Sequence, residues 1–129
     1  MELKGRKICK GKAEGEVLAT SEGISFYGGV DADTAIVTQK GHPLEGQSVA
    51  GKILVFPQGT GSTVGSYTLF QLKKNGKAPA AIINKECETI VAVGCIISEI
   101  PCVDHIDIEK LKTGDKVSVD AEKGIVETE

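Results

Sequence analysis

The chain has 129 residues, with 15 basic side chains against 18 acidic ones and a net charge of −3. A length of this order supports one domain with a real core, so residues 1–129 are expected to form a single domain. The charge balance speaks against a nucleic-acid or membrane partner, and the single arginine, Arg6, speaks further against reading of a phosphate backbone.

No apolar run reaches the roughly 18 residues of a membrane span. The opening MELKGRKICKGK is charged where a signal peptide would be apolar, so a cytoplasmic location is expected.

In chain order, KGRKICKGKAEGEVLATSE shows short apolar alternations broken by glycine, which predicts strand, turn, strand. GISFYGGVDADTAIVTQ continues the pattern: ISFY and TAIVT are predicted as strands around a Gly-Gly turn. GHPLEGQSVAG reads as a loop. GKILVF is a short continuous apolar run and suits a strand buried on both faces. SYTLFQLKKNG predicts a short helix, capped by Ser66, with Tyr67, Phe70 and Lys74 on one side and Leu69 and Leu72 adding apolar width. Lys73 and Lys74 suit its C-terminal dipole, and Gly76 its end. APAAIIN predicts a second buried strand, completing a βαβ unit.

TIVAVGCIISEI is too densely apolar for periodicity to decide. Ala92 and Gly94 suit close packing, so it is read as a helix leading into a strand at IPCVD. The tail predicts a hairpin, with VSVD and IVE flanking AEKG. The sum is a mixed α/β domain of three layers.

The four cysteines, Cys9, Cys87, Cys95 and Cys102, form no CxxC pair, and His42 and His105 add no metal-ligand spacing. They are expected to be reduced thiols that do not converge, with Cys87 the most accessible. No metal site is expected on this chain.

The stretch PQGTGSTVGSY, residues 57–67, sits between a buried strand and a helix. Its glycines let the backbone approach a ligand closely. The helix N-terminus offers unpaired N–H groups to an anion. Ser62, between Gly61 and Thr63, would lie near several donors, and these would stabilise it as an alkoxide acting as a proton acceptor. The same residues also fit a simple helix-capping turn. A nucleotide-binding P-loop is excluded, because no Gly-Lys-[Ser/Thr] follows.

PQGTGSTVGSY together with AGKILVF, APAAIIN, KGKAEGEVLATSEGISFYGGVD, GHPLEG and IPCVDHID resembles the small subunit of the aconitase X family, over about Gly5 to Asp107. The resemblance implies the swivelling β/β/α domain of aconitase-like enzymes. It also implies a hydro-lyase that is active only with a large catalytic partner subunit. The cofactor implied is an iron–sulfur cluster, of the 4Fe-4S type, carried by that partner. The family's G-[TR]-G-S loop places its proposed proton acceptor on Ser62. Gly59, Thr60, Gly61, Thr63 and Gly65 then become the substrate-binding residues.

Members of this family divide among substrates, a phosphorylated hydroxy acid and a hydroxyproline among them. Aconitases themselves carry an arginine directly after the serine, where Thr63 stands here. With Arg6 alone in the chain, guanidinium recognition of a tricarboxylic acid is weakened and a smaller, phosphate-bearing hydroxy acid is favoured. Thr60, arginine in some relatives, tilts the same way. A non-catalytic module that holds a phosphate-bearing ligand or docks a larger chain is the alternative.

Among other conspicuous residues, Asp31 reads as a turn aspartate that could face the cleft. His42 reads as a loop anchor or interface residue. Glu86 and Glu88 follow the second βαβ strand, at the edge where sites of open α/β sheets form; they could approach ligand or partner, or be solvated.

Overall fold

The computed structural model describes residues 1–128; Glu129, the last residue of the expected domain, lies outside them. In chain order the elements are β1 (Glu2–Lys4), β2 (Arg6–Cys9), β3 (Lys12–Ala19), a helical turn α1 (Phe26–Gly29), β4 (Ile53–Phe56) and α2 (Gly65–Lys74). There follow β5 (Ala81–Asn84), α3 (Thr89–Ser98), β6 (Cys102–Asp104), a 3-10 turn (Ile108–Lys110), β7 (Lys116–Asp120) and β8 (Ile125–Thr128).

The strands run in the order β1-β8-β7-β3-β4-β5-β6-β2. β3 belongs to both halves of this sheet. Its first part, Lys12–Glu16, pairs antiparallel with β7, and its last part, Val17–Ala19, pairs parallel with β4. The chain also crosses between the outer strands at Gly5, which joins β1 to β2. A Cβ at Gly5 would collide with the Asp104 carbonyl, so this corner requires glycine.

Two cores follow from the alternation of side chains along a strand. Ile53 and Val55 of β4, Ile83 of β5 and Val103 of β6 face Leu3, Val117, Val119 and Val126 of the outer strands. Leu54, Phe56 and Ile82 face the other way, onto Leu69 and Leu72 of α2 and Val91 and Cys95 of α3. The result is a β/β/α sandwich, and it explains why GKILVF reads as an unbroken apolar run: both faces of β4 are covered. The β4–α2–β5 unit, α3, β6 and the β7–β8 hairpin all form where the sequence predicts them.

Two expected strands are absent. ISFY becomes Ile24 in an isolated bridge, followed by the turn α1, in which Gly28 has φ +82°. TAIVT makes only isolated bridges, Val30 to Val37 and Ile36 to Ser48, and Ala35 is left-handed at φ +63°. The apolar residues of this region still find the core. Phe26, Val30, Val37, Leu44 and Val49 are buried in the α-side core, and Phe26 meets Phe56 edge-on at 5.8 Å. The backbone covers the sheet as an irregular plug.

α2 starts at Gly65 and its preceding residue is Val64, so Ser66 is not its cap. The Ser66 hydroxyl instead donates to the Ile90 carbonyl at 2.6 Å, tying α2 to α3. Gly94 of α3 lies against Leu69 and the Ser66 backbone, the close approach that its lack of a side chain permits. Tyr67 and Phe70 share a face, as expected, but it is the outer face, where their rings stack at 6.1 Å.

Candidate functional site

The loop between β4 and α2 is anchored at its near end. Ile24 forms a parallel bridge with Gly59: its N–H donates to Gln58 O at 3.3 Å, and its carbonyl accepts from Thr60 N–H at 2.9 Å. Behind Ile24, the Gly23 carbonyl lies 3.1 Å from Nε2 of His42. Nδ1 of the same ring accepts the Leu44 N–H at 3.1 Å, which leaves the ring proton on Nε2 to donate to Gly23. His42 is buried, so it acts as the loop anchor expected and not as a surface group.

The glycines of the loop serve packing against the chain. Gly59 lies against the Glu88 carboxylate and Val91, Gly61 against the side chain of Ser25, and Gly65 against Ile90 and Phe26. Gly61 also has φ +83°, which favours glycine on its own. Close ligand approach was the expected reason for Gly59 and Gly65. The neighbours that a side chain would meet there are protein atoms, so glycine at both positions also lets the loop pack closely on the chain.

Glu88, whose role the sequence leaves open, caps α3. Its two carboxylate oxygens accept from Ile90 N–H at 2.7 Å and Val91 N–H at 2.9 Å. An anion suits the positive end of that helix. Glu86 is exposed. Asp31 is a turn residue, its Oδ1 accepting from Asp33 N–H at 2.8 Å and Thr34 N–H at 3.2 Å.

Thr60, Gly61, Ser62 and Thr63 are exposed and stand together at the loop tip. Ser62 Oγ accepts the Val64 N–H at 3.1 Å, and the Ser62 carbonyl accepts Gly65 N–H at 3.0 Å. Among the described residues, the N–H groups of Gly61, Ser62 and Thr63 have no acceptor. The chain therefore presents one hydroxyl already held by an amide, next to three consecutive free donors, at the start of α2. Such a cluster can hold an anion or stabilise an oxyanion on Ser62.

Arg6 is committed elsewhere. Its guanidinium makes a two-pronged pair with Asp104, Nε to Oδ1 at 3.0 Å and Nη2 to Oδ2 at 2.8 Å. Asp104, fully buried, also accepts the Cys87 N–H at 2.8 Å. Burial alone would push the Asp104 carboxyl up, but the Arg6 hydrogen bonds, the Cys87 amide and the Arg6 charge hold it below the usual carboxylate range. The pair joins β2 to β6 and to the turn before α3. Sequence reasoning missed it, since the partners lie 98 residues apart.

The cysteines converge, against expectation. Cys102 lies against the thiols of both Cys87 and Cys95, and Cys9 Sγ is 3.5 Å from the Cys95 carbonyl. The contact with Cys102, then burial, pushes the Cys87 thiol far up. At Cys102 the Cys87 contact acts to lower the thiol, but the Cys95 contact and burial win and raise it. Cys87 and Cys102 are packed thiols pushed towards the protonated form, the opposite of what a thiolate ligand set requires. Among the described residues no group of three or more His, Cys, Asp or Glu side chains is placed to hold a metal ion.

A groove of about 880 Å³ opens between Ala19–Ser21 and the segment from Ile106 to Thr113, with Lys85 and Pro57 at its margin. Ser62 is exposed and does not line it.

A β/β/α sandwich with a hydroxyl-bearing glycine loop at the head of its first βαβ helix defines a swivel-type domain. The model of the aconitase X swivel domain family matches residues 2–128, and the chain belongs to that family. It is 64% identical to the phosphomevalonate dehydratase small subunit of Thermococcus kodakarensis, over 98% of this chain and 96% of that one. It is 57% identical to the phosphomevalonate dehydratase small subunit of Methanosarcina acetivorans, over 98% of this chain and 90% of that one. The crystal structure of Thermococcus kodakaraensis aconitase X in its holo-form superposes with a TM-score of 0.99 at 62% identity, covering 100% of this chain and 98% of that one.

Proposed function

We propose that this chain is the small subunit of a phosphomevalonate dehydratase. The enzyme would remove water from (R)-5-phosphomevalonate to give trans-anhydromevalonate 5-phosphate, in the cytoplasm, within the modified mevalonate route to isoprenoids. The reading rests on relatives that match end to end and bear that name. In it, residues 1–129 act as one swivel domain.

The observation that carries the chemistry is Ser62. Its Oγ accepts an amide N–H at the start of α2, and three free amides lie beside it. In this reading Ser62 Oγ takes the proton from the carbon next to the one bearing the hydroxyl. The C–H electron pair becomes the new double bond. The Val64 amide and the dipole of α2 hold the oxyanion of Ser62 before the proton arrives. The free N–H groups of Gly61, Ser62 and Thr63 and the hydroxyls of Thr60 and Thr63 bind the acidic ends of the substrate. Gly59 and Gly65 set the position of the loop.

The iron–sulfur cluster implied by the family does not fit this chain: Cys9, Cys95 and Cys102 are buried, and packing pushes the Cys87 and Cys102 thiols towards the protonated form. The reading assigns it, as a 4Fe-4S centre, to the large aconitase X subunit, where a Lewis acid for the departing hydroxyl is required.

The Ser62–Val64 hydrogen bond is also what a capping serine makes, and this favours a second reading in which the loop only binds or caps. Activity of the reconstituted pair separates the two and fixes the substrate. The pair, supplied separately with 5-phosphomevalonate and cis-3-hydroxyproline, is expected to dehydrate the first alone, with neither chain active by itself. Turnover of the proline, or activity of this chain without a partner, would overturn the proposal.

A further inference from the structure

The outer face of the helical layer is apolar and, up to the last turn of α2, free of charge. α3, TIVAVGCIIS, has no charged residue in ten, yet Val93, Ile96 and Ile97 are 42%, 56% and 49% exposed. On α2 the exposed residues of the first two turns are Tyr67 and Phe70, and Val64 precedes them; charge appears only at Lys73 and Lys74, at the far end. Apart from Met1, every exposed large apolar side chain lies on these helices or just beside them, Tyr27 completing the set. The two helices are one surface, since Gly94 lets them touch and Ser66 bonds Ile90.

A helix with apolar residues on all sides is stable only when all sides are covered. In a chain with 26% charged residues, a ten-residue helix without one is a face kept out of water. The sheet side of α3 already covers Val91 and Cys95. Its outer side has no cover among the described residues.

We propose that this face, from Val64 through Tyr67 and Phe70 to Val93 and Ile97, docks the large aconitase X-type subunit. The inference rests on the reading of this chain as a small subunit and names the surface that makes it one. Two observations choose the large subunit over a second copy. The face begins at Val64, two residues from Ser62, so the chain that covers it is also placed to complete the exposed half-site. A second copy seated there would bring no metal-binding group to Ser62, since the described residues of this chain place none. The matching surface on the partner is apolar and poor in charge, with aromatic contacts to Tyr67 and Phe70 at its centre.

The test uses the full chain co-expressed with the tagged large subunit of the same genome. Tyr67→Asp and Ile97→Asp change exposed side chains, so their melting temperatures should stay near that of the parent; affinity for the large subunit should fall at least 100-fold. Lys123→Asp, on the exposed β7–β8 turn, should leave affinity unchanged. Amides of α2 and α3 should gain hydrogen-exchange protection in the complex. A complex that forms equally well with Tyr67→Asp and Ile97→Asp overturns the docking face while leaving the functional reading intact. A self-association that these substitutions abolish, with large-subunit binding unaffected, overturns it in favour of a second copy. Failure of the parent chain to bind the large subunit at all overturns both.

Discussion

Gly59 lies against the carboxylate of Glu88, so that a methyl group on Gly59 would overlap Oε1 and come within 2.6 Å of Val91 Cγ2. The same carboxylate holds the Ile90 and Val91 N–H groups. The cap of α3 is therefore also the floor of the Ser62 loop. Glu88→Ala should cost about 1 kcal/mol through the lost cap, and Glu88→Gln less, since one acceptor oxygen remains. Gly59→Ala should cost about 1–3 kcal/mol as an overpacked contact. It should also lower kcat of the assembled enzyme by moving the loop, although Gly59 offers no side chain to a substrate. Melting curves and steady-state rates on the pair check this; Gly59→Ala with unchanged melting and turnover would show that the loop does not rest on Glu88.

The Arg6–Asp104 pair carries a pH dependence of known sign. Asp104 is held below its ordinary value, so it binds its proton less tightly folded than unfolded. Its contribution is complete above the unfolded carboxylate value of about 4 and is lost as pH falls through the lower folded value. Asp104→Asn should therefore lower neutral-pH stability by about 1–3 kcal/mol, because it gives the Arg6 donors a competing N–H at a buried position, and should flatten the acid limb. Urea titrations of both proteins from pH 3 to 7 measure it. Parallel acid limbs would mean that Asp104 makes no special contribution.

Packed and pushed towards the protonated form, Cys87 and Cys102 should be poor nucleophiles in the native state. Iodoacetamide near pH 8 should leave both unmodified over a period that labels an ordinary surface thiol, and all four cysteines should react in denaturant. Anaerobic iron–sulfur reconstitution of the isolated chain should yield no stoichiometric cluster. Rapid native labelling of Cys87, or a full cluster on this chain, would contradict the structure's account of these thiols.

The sequence made visible those elements whose burial and local conformation agree. GKILVF and APAAIIN read as inner strands because both faces of β4 and β5 are covered, and the hairpin of β7 and β8 reads from its alternation. ISFY and TAIVT misled because their apolar spacing serves burial in an irregular segment, bent at Gly28 and Ala35, that makes only isolated bridges. The site was legible at Ser62, which lies in a local motif. Its donor, the backbone of Val64, lies two residues away and belongs to the same local motif. The rest of its support was not legible: its floor is the cap of another helix, and its anchor runs from His42 through Gly23. Both depend on contacts between distant parts of the chain. An acidic residue directly before an uncharged helix was the one local signal that could have identified Glu88 as a cap.

The most direct test of the account is Ser62→Ala in the assembled enzyme, with melting temperature and kcat measured on the same samples. The lost hydrogen bond to Val64 should cost about 1 kcal/mol of stability, leaving the pair intact. If Ser62 is the proton acceptor, kcat should fall by roughly 10²–10⁴-fold while KM changes little, because the oxyanion acts in the transition state. Thr63→Ala, which removes one exposed hydroxyl, should cost about 1 kcal/mol of transition-state binding. Near-normal turnover by Ser62→Ala, with only the small loss of stability, would reduce Ser62 to a cap and place the base on the partner chain.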